Sequence, residues 1–416
     1  MTSTEEIAGF AADVEYGRLP DDVREAAKRR LLDAVGVALR NHDRRRVEAI
    51  REGLRPGGPS DAHGCRIWGT ADVVRPPRAA AGNAVAITAG NGPTFLAPTL
   101  APVGGSLAAV VAAAEAADAT GETTLAGIAA ALEVHGECAW NAPLDGLHPA
   151  THTAVAAAAG AGRAMGHDAP TIADAVGIAA GRLALAVGDP DDPLSAGHAA
   201  RSALYACSLA DNGVSAPDAI AAPNGWHDRV GPFELDFDPG CERVRDAAVL
   251  PYDAHPYGQS AIEAAIELAG ERPIDPADID SVTVETFDAA VPDVDPERVA
   301  AALVDRELAI HRGNRTDLEP ILEAVAVVPD EALTDRHDRG AIPARVTVEF
   351  RDGSVAEAAR DGFEGHPSSP ETWGVVEEKF HATVEGVYDR SVRETTVETA
   401  RSFEADGAAE LDRLLR

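Results

Sequence analysis

Hydrophobic positions in the first half of the chain recur at the spacing of helices. In residues 21–40, apolar side chains such as Val23, Leu31 and Val35 return every three or four positions and form one face. The same spacing predicts further helices over residues 106–119, 124–138, 151–165, 170–186 and 197–212. Before about residue 247 we find no confident strand pattern, so this part is predicted to be helical.

The pattern changes after residue 247. Residues 279–286 alternate β-branched and polar side chains, which predicts a strand. A second alternation over Val346–Phe350 ends at Asp352-Gly353, a strong hairpin signal, and Val355 begins the predicted return strand. Between these strands, residues 297–310 and 316–327 have helical spacing. Residues 248–365 are therefore predicted to form a smaller α+β domain.

Helical spacing returns at the end of the chain. Ser369 is a candidate helix cap with Pro370 at the first helical position, and Trp373, Val376 and Phe380 then share one face. A last helix is predicted over residues 403–415. The predicted fold is mainly α: a large helical domain made of residues 1–247 and 366–416, with an inserted smaller α+β lid domain over residues 248–365.

The charge balance is strongly acidic. The 416 residues carry 69 Asp and Glu against 36 Lys and Arg, a formal charge of −33, and the only lysines are Lys28 and Lys379. This composition is typical of proteins that work in molar salt, where the Debye length falls to about 3 Å and self-repulsion is screened. It argues against nucleic-acid binding, which needs a basic patch. We expect a salt-adapted protein.

Cysteine spacing and hydropathy give two further expectations. The four cysteines form no Cys-x-x-Cys pair, so neither a zinc site nor a redox motif is indicated, and reduced thiols in a cytoplasm are expected. An uncharged stretch runs from Arg78 to Glu115, but prolines interrupt it, and a spanning helix needs about 20 strongly apolar residues. No membrane association is predicted.

Four segments together carry a resemblance to a known family. They are AKRRLLDAVGVAL (27–39), GLHPATHTAVAAAAGAGRAMG (146–166), LPYDAHPYGQSAIEAAIEL (250–268) and GHPSSPETWGVVEEKF (365–380). In order and spacing they resemble the MmgE/PrpD family, which includes 2-methylcitrate dehydratase and cis-aconitate decarboxylase. The family architecture, a helical domain with an inserted α+β lid, agrees with the plan read from periodicity.

The resemblance implies a function. Family lyases use no metal or cofactor and act on small di- or tricarboxylic acids in a cleft between helical domain and lid, and members are generally homodimers. Such chemistry needs positioned acid–base groups and groups that hold the substrate carboxylates. His148, in Gly146-Leu147-His148-Pro149, matches a family active-site histidine. At the start of a predicted helix, it is placed where the helix dipole attracts a carboxylate.

Other family positions differ in this chain. The Asp-rich loop of the family is replaced by Asn91-Gly92-Pro93-Thr94-Phe95, the family Lys-Pro-Tyr-Pro by Leu250-Pro251-Tyr252-Asp253, and a histidine by Gln259. Neither Lys28 nor Lys379 can fill the role of a family lysine. One lost acid–base group typically costs about 10²- to 10⁴-fold in rate. Three hypotheses therefore stay open: a lyase or isomerase with an altered site, a non-catalytic binding or regulatory homologue, and a structural subunit kept for dimerisation.

A rebuilt site has several candidate residues. His152 follows His148 at helical spacing, and His255 lies in the segment that enters the lid; with His148 they are the predicted catalytic residues. The predicted substrate-binding residues are Asn91, Thr94, His198, Arg201, Tyr252 and Gln259. The His148/His152 spacing also occurs in metal pairs, but the sequence HPATH lacks the glutamate of the HExxH motif. No metal is predicted.

Overall fold

A computed structural model describes residues 3–54, 64–90, 94–97, 99–181, 192–271, 273–305 and 315–414. The helices are α1 (Ser3–Asp13), α2 (Asp21–Asn41), α3 (Arg45–Leu54), α4 (Pro76–Thr88), α5 (Gly104–Ala116), α6 (Gly121–Asn141), α7 (Ala150–Ala164), α8 (Ala169–Ala180), α9 (Pro193–Asp211), α10 (Trp226–Val230), α11 (Gln259–Glu271), α12 (Pro296–Asp305), α13 (Glu319–Leu322), α14 (Glu331–His337), α15 (Trp373–Thr383), α16 (Arg390–Arg401) and α17 (Phe403–Leu414). The strands are β1 (Cys65–Arg66), β2 (Val73–Val74), β3 (Phe95–Leu96), β4 (Ala101–Pro102), β5 (Ala247–Ala248), β6 (Ile279–Thr286), β7 (Val325–Pro329), β8 (Ala344–Phe350) and β9 (Val355–Arg360).

Two compact units make up the chain. The first unit is Met1–Ala247 with Thr383–Arg416, and the second unit is Ala248–Ala382. The first is built mainly of helices, and the second combines helices with a four-stranded sheet. The predicted mainly helical fold with a smaller α+β part is confirmed. The second unit ends at Ala382, whereas the predicted lid ended at residue 365.

Small residues let the helices of the first unit approach closely. Helix α6 begins after Thr120, whose hydroxyl accepts a hydrogen bond from the Thr123 N–H at 3.2 Å. It packs against α7 through glycine: a Cβ added at Gly160 would lie 2.5 Å from both the Ala131 Cβ and the Gly127 carbonyl oxygen. Helix α5 is buried along almost its whole length. The alanine-rich composition therefore lets the helices of the core pack closely.

The expectation of no strand before residue 247 is wrong in detail. Strands β1 and β2 pair antiparallel, as do β3 and β4, and the Ala97 N–H donates to the Asp246 carbonyl at 2.9 Å. Each of these strands has only two residues. Alternation cannot be recognised over so short a segment, because the side-chain period of a strand is itself two residues.

The second unit contains a sheet in the order β7-β6-β8-β9. Strand β6 pairs parallel with β7 and antiparallel with β8, and β8 with β9 forms the predicted hairpin around Gly353, whose φ is +83°. Strand β6 and the hairpin are confirmed. The helix predicted over residues 316–327 is wrong in its second half: Thr316–Leu318 is a 3-10 helix and Glu319–Leu322 is α-helical, but Val325–Pro329 is strand β7.

One helix begins later than predicted, and two predicted helices extend beyond the described residues. Helix α15 begins at Trp373, with the Val376 N–H donating to the Thr372 carbonyl, so Ser369 does not cap it. The Ser369 N–H instead donates to the His366 carbonyl at 2.8 Å in a tight loop. Helix α8 ends at Ala180 and α12 at Asp305; the rest of the predicted helices, at 182–186 and 306–310, lies outside the described residues.

One buried lysine ties the two ends of the first unit together. Lys28 of α2 is 3 % exposed, and its Nζ lies 2.9 Å from Glu25 Oε1 and 2.7 Å from Glu404 Oε2. It also donates to the Arg401 carbonyl at 3.0 Å. Lys28 therefore anchors α16 and α17 against α2. Within the described residues, every helix is too short or too polar to cross a membrane.

Candidate active site

A short loop between α6 and α7 carries the histidine singled out from the sequence. Asp145 and Gly146 both have positive φ values, +38° and +87°, and the Leu147 N–H donates to the Leu144 carbonyl at 2.8 Å. A non-glycine residue in this region is uncommon and is held by its surroundings. The loop turns sharply here and places His148 directly before α7, which begins at Ala150.

His148 is buried, and only one of its ring nitrogens is engaged. The side chain is 5 % exposed, and Nδ1 accepts a hydrogen bond from the Ala150 N–H at 3.0 Å. Because Nδ1 uses its lone pair as an acceptor, the proton of the neutral ring is on Nε2. Nε2 is buried and has no hydrogen-bond partner among the described residues. His148 thus presents a buried, unused N–H donor beside the N-terminus of α7.

His152 holds the loop instead of sharing a helix face with His148. Its Nε2 lies 3.0 Å from the Ala142 carbonyl oxygen, and its ring stacks on Trp226 with centroids 5.4 Å apart. Burial lowers the pKa of His152 to about 4, so the ring is neutral near pH 7. His148 precedes the helix, so the helical-spacing argument for a pair of bases does not apply. His152 positions the loop.

Trp226 holds the next residue of the same loop. Its Nε1 donates to the Pro143 carbonyl at 3.0 Å, and the indole is fully buried. Two consecutive carbonyls, those of Ala142 and Pro143, are therefore fixed by donors from α7 and α10. Sequence analysis did not identify Trp226. The only signal was the rarity of aromatic residues, since Trp226 is one of four tryptophans in the chain.

Thr151 is a second residue that sequence analysis missed. It is 3 % exposed, and its hydroxyl is buried with no hydrogen-bond partner among the described residues. Its N–H donates to the His148 carbonyl at 2.9 Å, so both residues belong to one turn. A threonine in the first turn of an alanine-rich helix gives no sequence signal of this kind. The turn therefore contains two buried polar groups with unused hydrogen-bonding capacity.

The remaining predicted residues of the first unit are in different environments. Thr94 is 2 % exposed, and its hydroxyl donates to Asp33 Oδ2 on α2 at 2.7 Å. This bond occupies the Thr94 donor, so its side chain connects a loop to α2. Asn91 lies outside the described residues. His198 and Arg201 are both exposed on α9, one turn apart.

Tyr252, His255 and Gln259 belong to the second unit. Gln259 is fully buried, and its amide pairs with the N–H of Tyr252 and with the carbonyls of Tyr252 and Ala254. Its side chain therefore shapes the loop, and a contact with substrate would require one of these bonds to break. Burial, followed by the charges of Glu263 and Glu364, raises the pKa of Tyr252 above its usual range.

His255 is half-buried at the start of the same loop. Its Nδ1 accepts from the Tyr257 N–H at 3.3 Å and lies 4.0 Å from Asp293 Oδ2. The ring also contacts Tyr257 edge-on, with centroids 5.1 Å apart. The Tyr257 backbone and ring therefore hold the imidazole of His255 in place.

Comparison with protein-family models matches two parts of the chain. Residues 5–233 match the MmgE/PrpD N-terminal domain, and residues 296–405 match the MmgE/PrpD C-terminal domain. The chain belongs to the MmgE/PrpD family. Its two domains are those of a family of dehydratase or lyase type. The resemblance carried by the four sequence segments is therefore confirmed at the level of the family.

The two matches leave residues 234–295 of this MmgE/PrpD chain uncovered. His148, His152, Thr151 and Trp226 lie inside the N-terminal match, whereas Tyr252, His255 and Gln259 lie between the two matched segments. The loop and the N-terminus of α7 thus belong to a part of the chain that follows the family pattern. Among the described residues, no group of three or more His, Cys, Asp and Glu side chains could hold a metal ion.

Proposed function

We propose that this MmgE/PrpD protein is a lyase that acts on a small di- or tricarboxylic acid without a metal or cofactor. The buried His148 Nε2–H, which has no hydrogen-bond partner among the described residues, is the observation that supports the proposal. A buried donor left unpaired costs about 1–3 kcal/mol. Such a group is commonly kept because a substrate or an ordered water completes it.

The proposed role of His148 follows from its tautomer. The Ala150 N–H occupies Nδ1, so Nε2 of the neutral ring donates and cannot accept. Removal of a proton next to a carboxylate, or loss of carbon dioxide, builds negative charge on a substrate oxygen. A preorganised N–H donor in a dry site stabilises that oxygen, and losing one such donor costs about 10²- to 10³-fold in rate.

Binding and proton transfer need further groups. The N-terminus of α7 carries the positive end of the helix dipole, which favours a carboxylate beside His148. His255, with Asp293 4.0 Å away, stays our prediction for the group that exchanges a proton. Thr94, Tyr252, His198 and Arg201 stay predictions for substrate binding, as does Asn91, which lies outside the described residues.

A direct assay tests this function. The protein is incubated in about 2 M KCl with 2-methylcitrate, citrate and cis-aconitate, and products are followed by chromatography. We expect turnover of at least one acid and a His148→Gln variant slower by about 10²-fold or more. Gln keeps a donor but changes its reach and direction. Equal rates for His148→Gln and the unmodified chain would reject the role of His148.

One observation favours the alternative of a non-catalytic binding homologue. Lys28 is held by Glu25, Glu404 and the Arg401 carbonyl, so it is not available to a substrate. Lys379 is the one other lysine. If citrate binds in calorimetry and the affinity depends on His148, while no acid is turned over, the binding homologue replaces the lyase.

The setting of the protein is also proposed. We infer a homodimer in a salt-rich cytoplasm, from the family resemblance and the formal charge of −33. All four cysteines are buried and form no disulfide, which fits that compartment. Light scattering after gel filtration in about 2 M KCl tests the dimer, and a single-chain mass of 43.1 kDa would contradict it.

A further inference from the structure

Thr151 differs from several other threonines in the helices of this protein. Helical threonines normally donate to the carbonyl one turn earlier. In this chain Thr88 donates to Ala84 at 2.7 Å, Thr124 to Thr120 at 2.9 Å and Thr396 to Val392 at 2.8 Å. The Thr151 hydroxyl is buried and makes no such bond among the described residues. Its hydrogen-bonding capacity is thus left for something other than its own helix.

The hydroxyl belongs to the same turn as the unused nitrogen of His148. The Thr151 N–H donates to the His148 carbonyl at 2.9 Å, which closes a tight turn over residues 148–151. The two side chains are 3 % and 5 % exposed. Two buried polar groups without partners would together cost about 2–6 kcal/mol in one turn. One ligand that accepts from both groups would remove that cost.

We propose that Thr151 is a substrate-contacting residue that pairs with His148 to bind one carboxylate. Each residue supplies one neutral donor, Thr151 its O–H and His148 its Nε2–H, and a carboxylate offers two oxygens that accept. The helix dipole of α7 adds attraction for a negative charge. This assignment rests on the proposed function, because it specifies the ligand of the same site.

The test separates binding from folding. The probe is propane-1,2,3-tricarboxylate, which has neither the hydroxyl nor the double bond that a lyase needs and therefore reports binding alone. Its affinity is measured by calorimetry in about 2 M KCl for four chains: the unmodified protein, Thr151→Val, Thr151→Ser and Thr124→Val. Valine keeps the shape of threonine and removes the hydroxyl, and serine restores it.

Two readouts are expected to move in opposite directions. Thr151→Val should weaken binding of the probe about 10-fold or more, equivalent to about 1.4 kcal/mol. It should leave the urea unfolding midpoint unchanged or raise it, because an unpaired buried hydroxyl is removed. Thr151→Ser should bind within about 3-fold of the unmodified chain. Thr124→Val, which breaks a bond inside α6, should lower the midpoint without changing the affinity.

The outcomes distinguish this proposal from the lyase assignment. A Thr151→Val chain that binds the probe as the unmodified chain does overturns the pairing with His148, as does an unmodified chain that shows no binding at about 10 mM probe. A lower midpoint for Thr151→Val, with no change in affinity, makes its role structural. If binding depends on both residues but no acid is turned over, the carboxylate site stands and the lyase function fails.

Discussion

The imidazole of His152 donates from Nε2 to the carbonyl oxygen of Ala142 at 3.0 Å. This bond links the body of α7 to the start of the loop that leads into it. Trp226 secures the neighbouring Pro143 carbonyl from α10. The position of His148 therefore depends on residues that do not contact the substrate in our account, and several predictions concern them.

Replacement of His152 by Phe keeps a ring against Trp226 and removes the donor. The buried Ala142 carbonyl then loses this partner, so we expect the free energy of unfolding to fall by about 1–3 kcal/mol. Urea unfolding measures this change. His198→Phe, on the exposed surface of α9, is the matched control and should change stability by less than about 0.5 kcal/mol. Equal stability of both variants would mean that the His152 bond does not contribute to the free energy of unfolding.

The pH dependence of stability should report the buried histidines. Burial lowers the pKa of His152 to about 4 and that of His135 to about 3, whereas the unfolded rings titrate near 6.5. Below pH 6.5 these rings take up protons in the unfolded chain but stay neutral in the folded chain. Their contribution to the free energy of unfolding is therefore complete above pH 6.5 and falls as the pH is lowered towards 4.

A His152→Gln variant isolates that contribution. Between about pH 7 and about pH 4.5 its free energy of unfolding should fall less steeply than that of the unmodified chain, because one titrating group is gone. Comparison of the two chains cancels the titration of the many carboxylates. Parallel pH profiles would show that His152 is not buried in its neutral form.

The contact between α6 and α7 predicts opposite effects of alanine at two glycines. A Cβ at Gly160 would lie 2.5 Å from the Gly127 carbonyl oxygen and the Ala131 Cβ, whereas a Cβ at Gly9 on α1 meets nothing within 4 Å. Gly160→Ala should destabilise by about 1–3 kcal/mol. Gly9→Ala should stabilise by up to about 1 kcal/mol, through helix propensity. A tolerated Gly160→Ala in thermal unfolding would contradict the close approach of these helices.

Lys28 is predicted to be structural. Its removal in Lys28→Ala leaves Glu404 without this cation and removes the Lys28 donor from the Arg401 carbonyl, and we expect a loss of about 2–4 kcal/mol in the free energy of unfolding. Arg18→Ala removes the exposed pair with Glu15 and should cost less than about 1 kcal/mol. The carboxylate affinity of folded Lys28→Ala should equal that of the unmodified chain. A selective loss of affinity would instead place Lys28 in the binding machinery.

The sequence predicted long elements well and short ones poorly. Helix α2 at Asp21–Asn41 and the β8–β9 hairpin follow from periodicity and from Asp352-Gly353, because each repeats its pattern several times. Strand β7 is not predicted because Val325–Pro329 has only five residues and its sequence, VAVVP, lacks the polar positions that would alternate with apolar ones. Two-residue strands such as β1 carry no period at all.

The candidate site was predictable only where a residue type carries its own chemistry. His148 could be predicted because it is a histidine followed by a proline and because its segment resembles the family. The tautomer set by Ala150, the loop contacts of Trp226 and a Thr151 hydroxyl without a partner among the described residues depend on contacts that only the folded chain defines. The His148/His152 spacing misled because α7 begins two residues after His148.

Nitrogen NMR of the chain labelled in its histidine rings tests the central claim most directly, with His148→Gln used to assign the signals. We predict that His148 at pH 7.5 carries its proton on Nε2 and that propane-1,2,3-tricarboxylate shifts this signal towards the values of a strong hydrogen bond, while the signals of His152 stay in place. A proton on Nδ1, or a His148 signal that the acid leaves unchanged at saturation, would contradict the account.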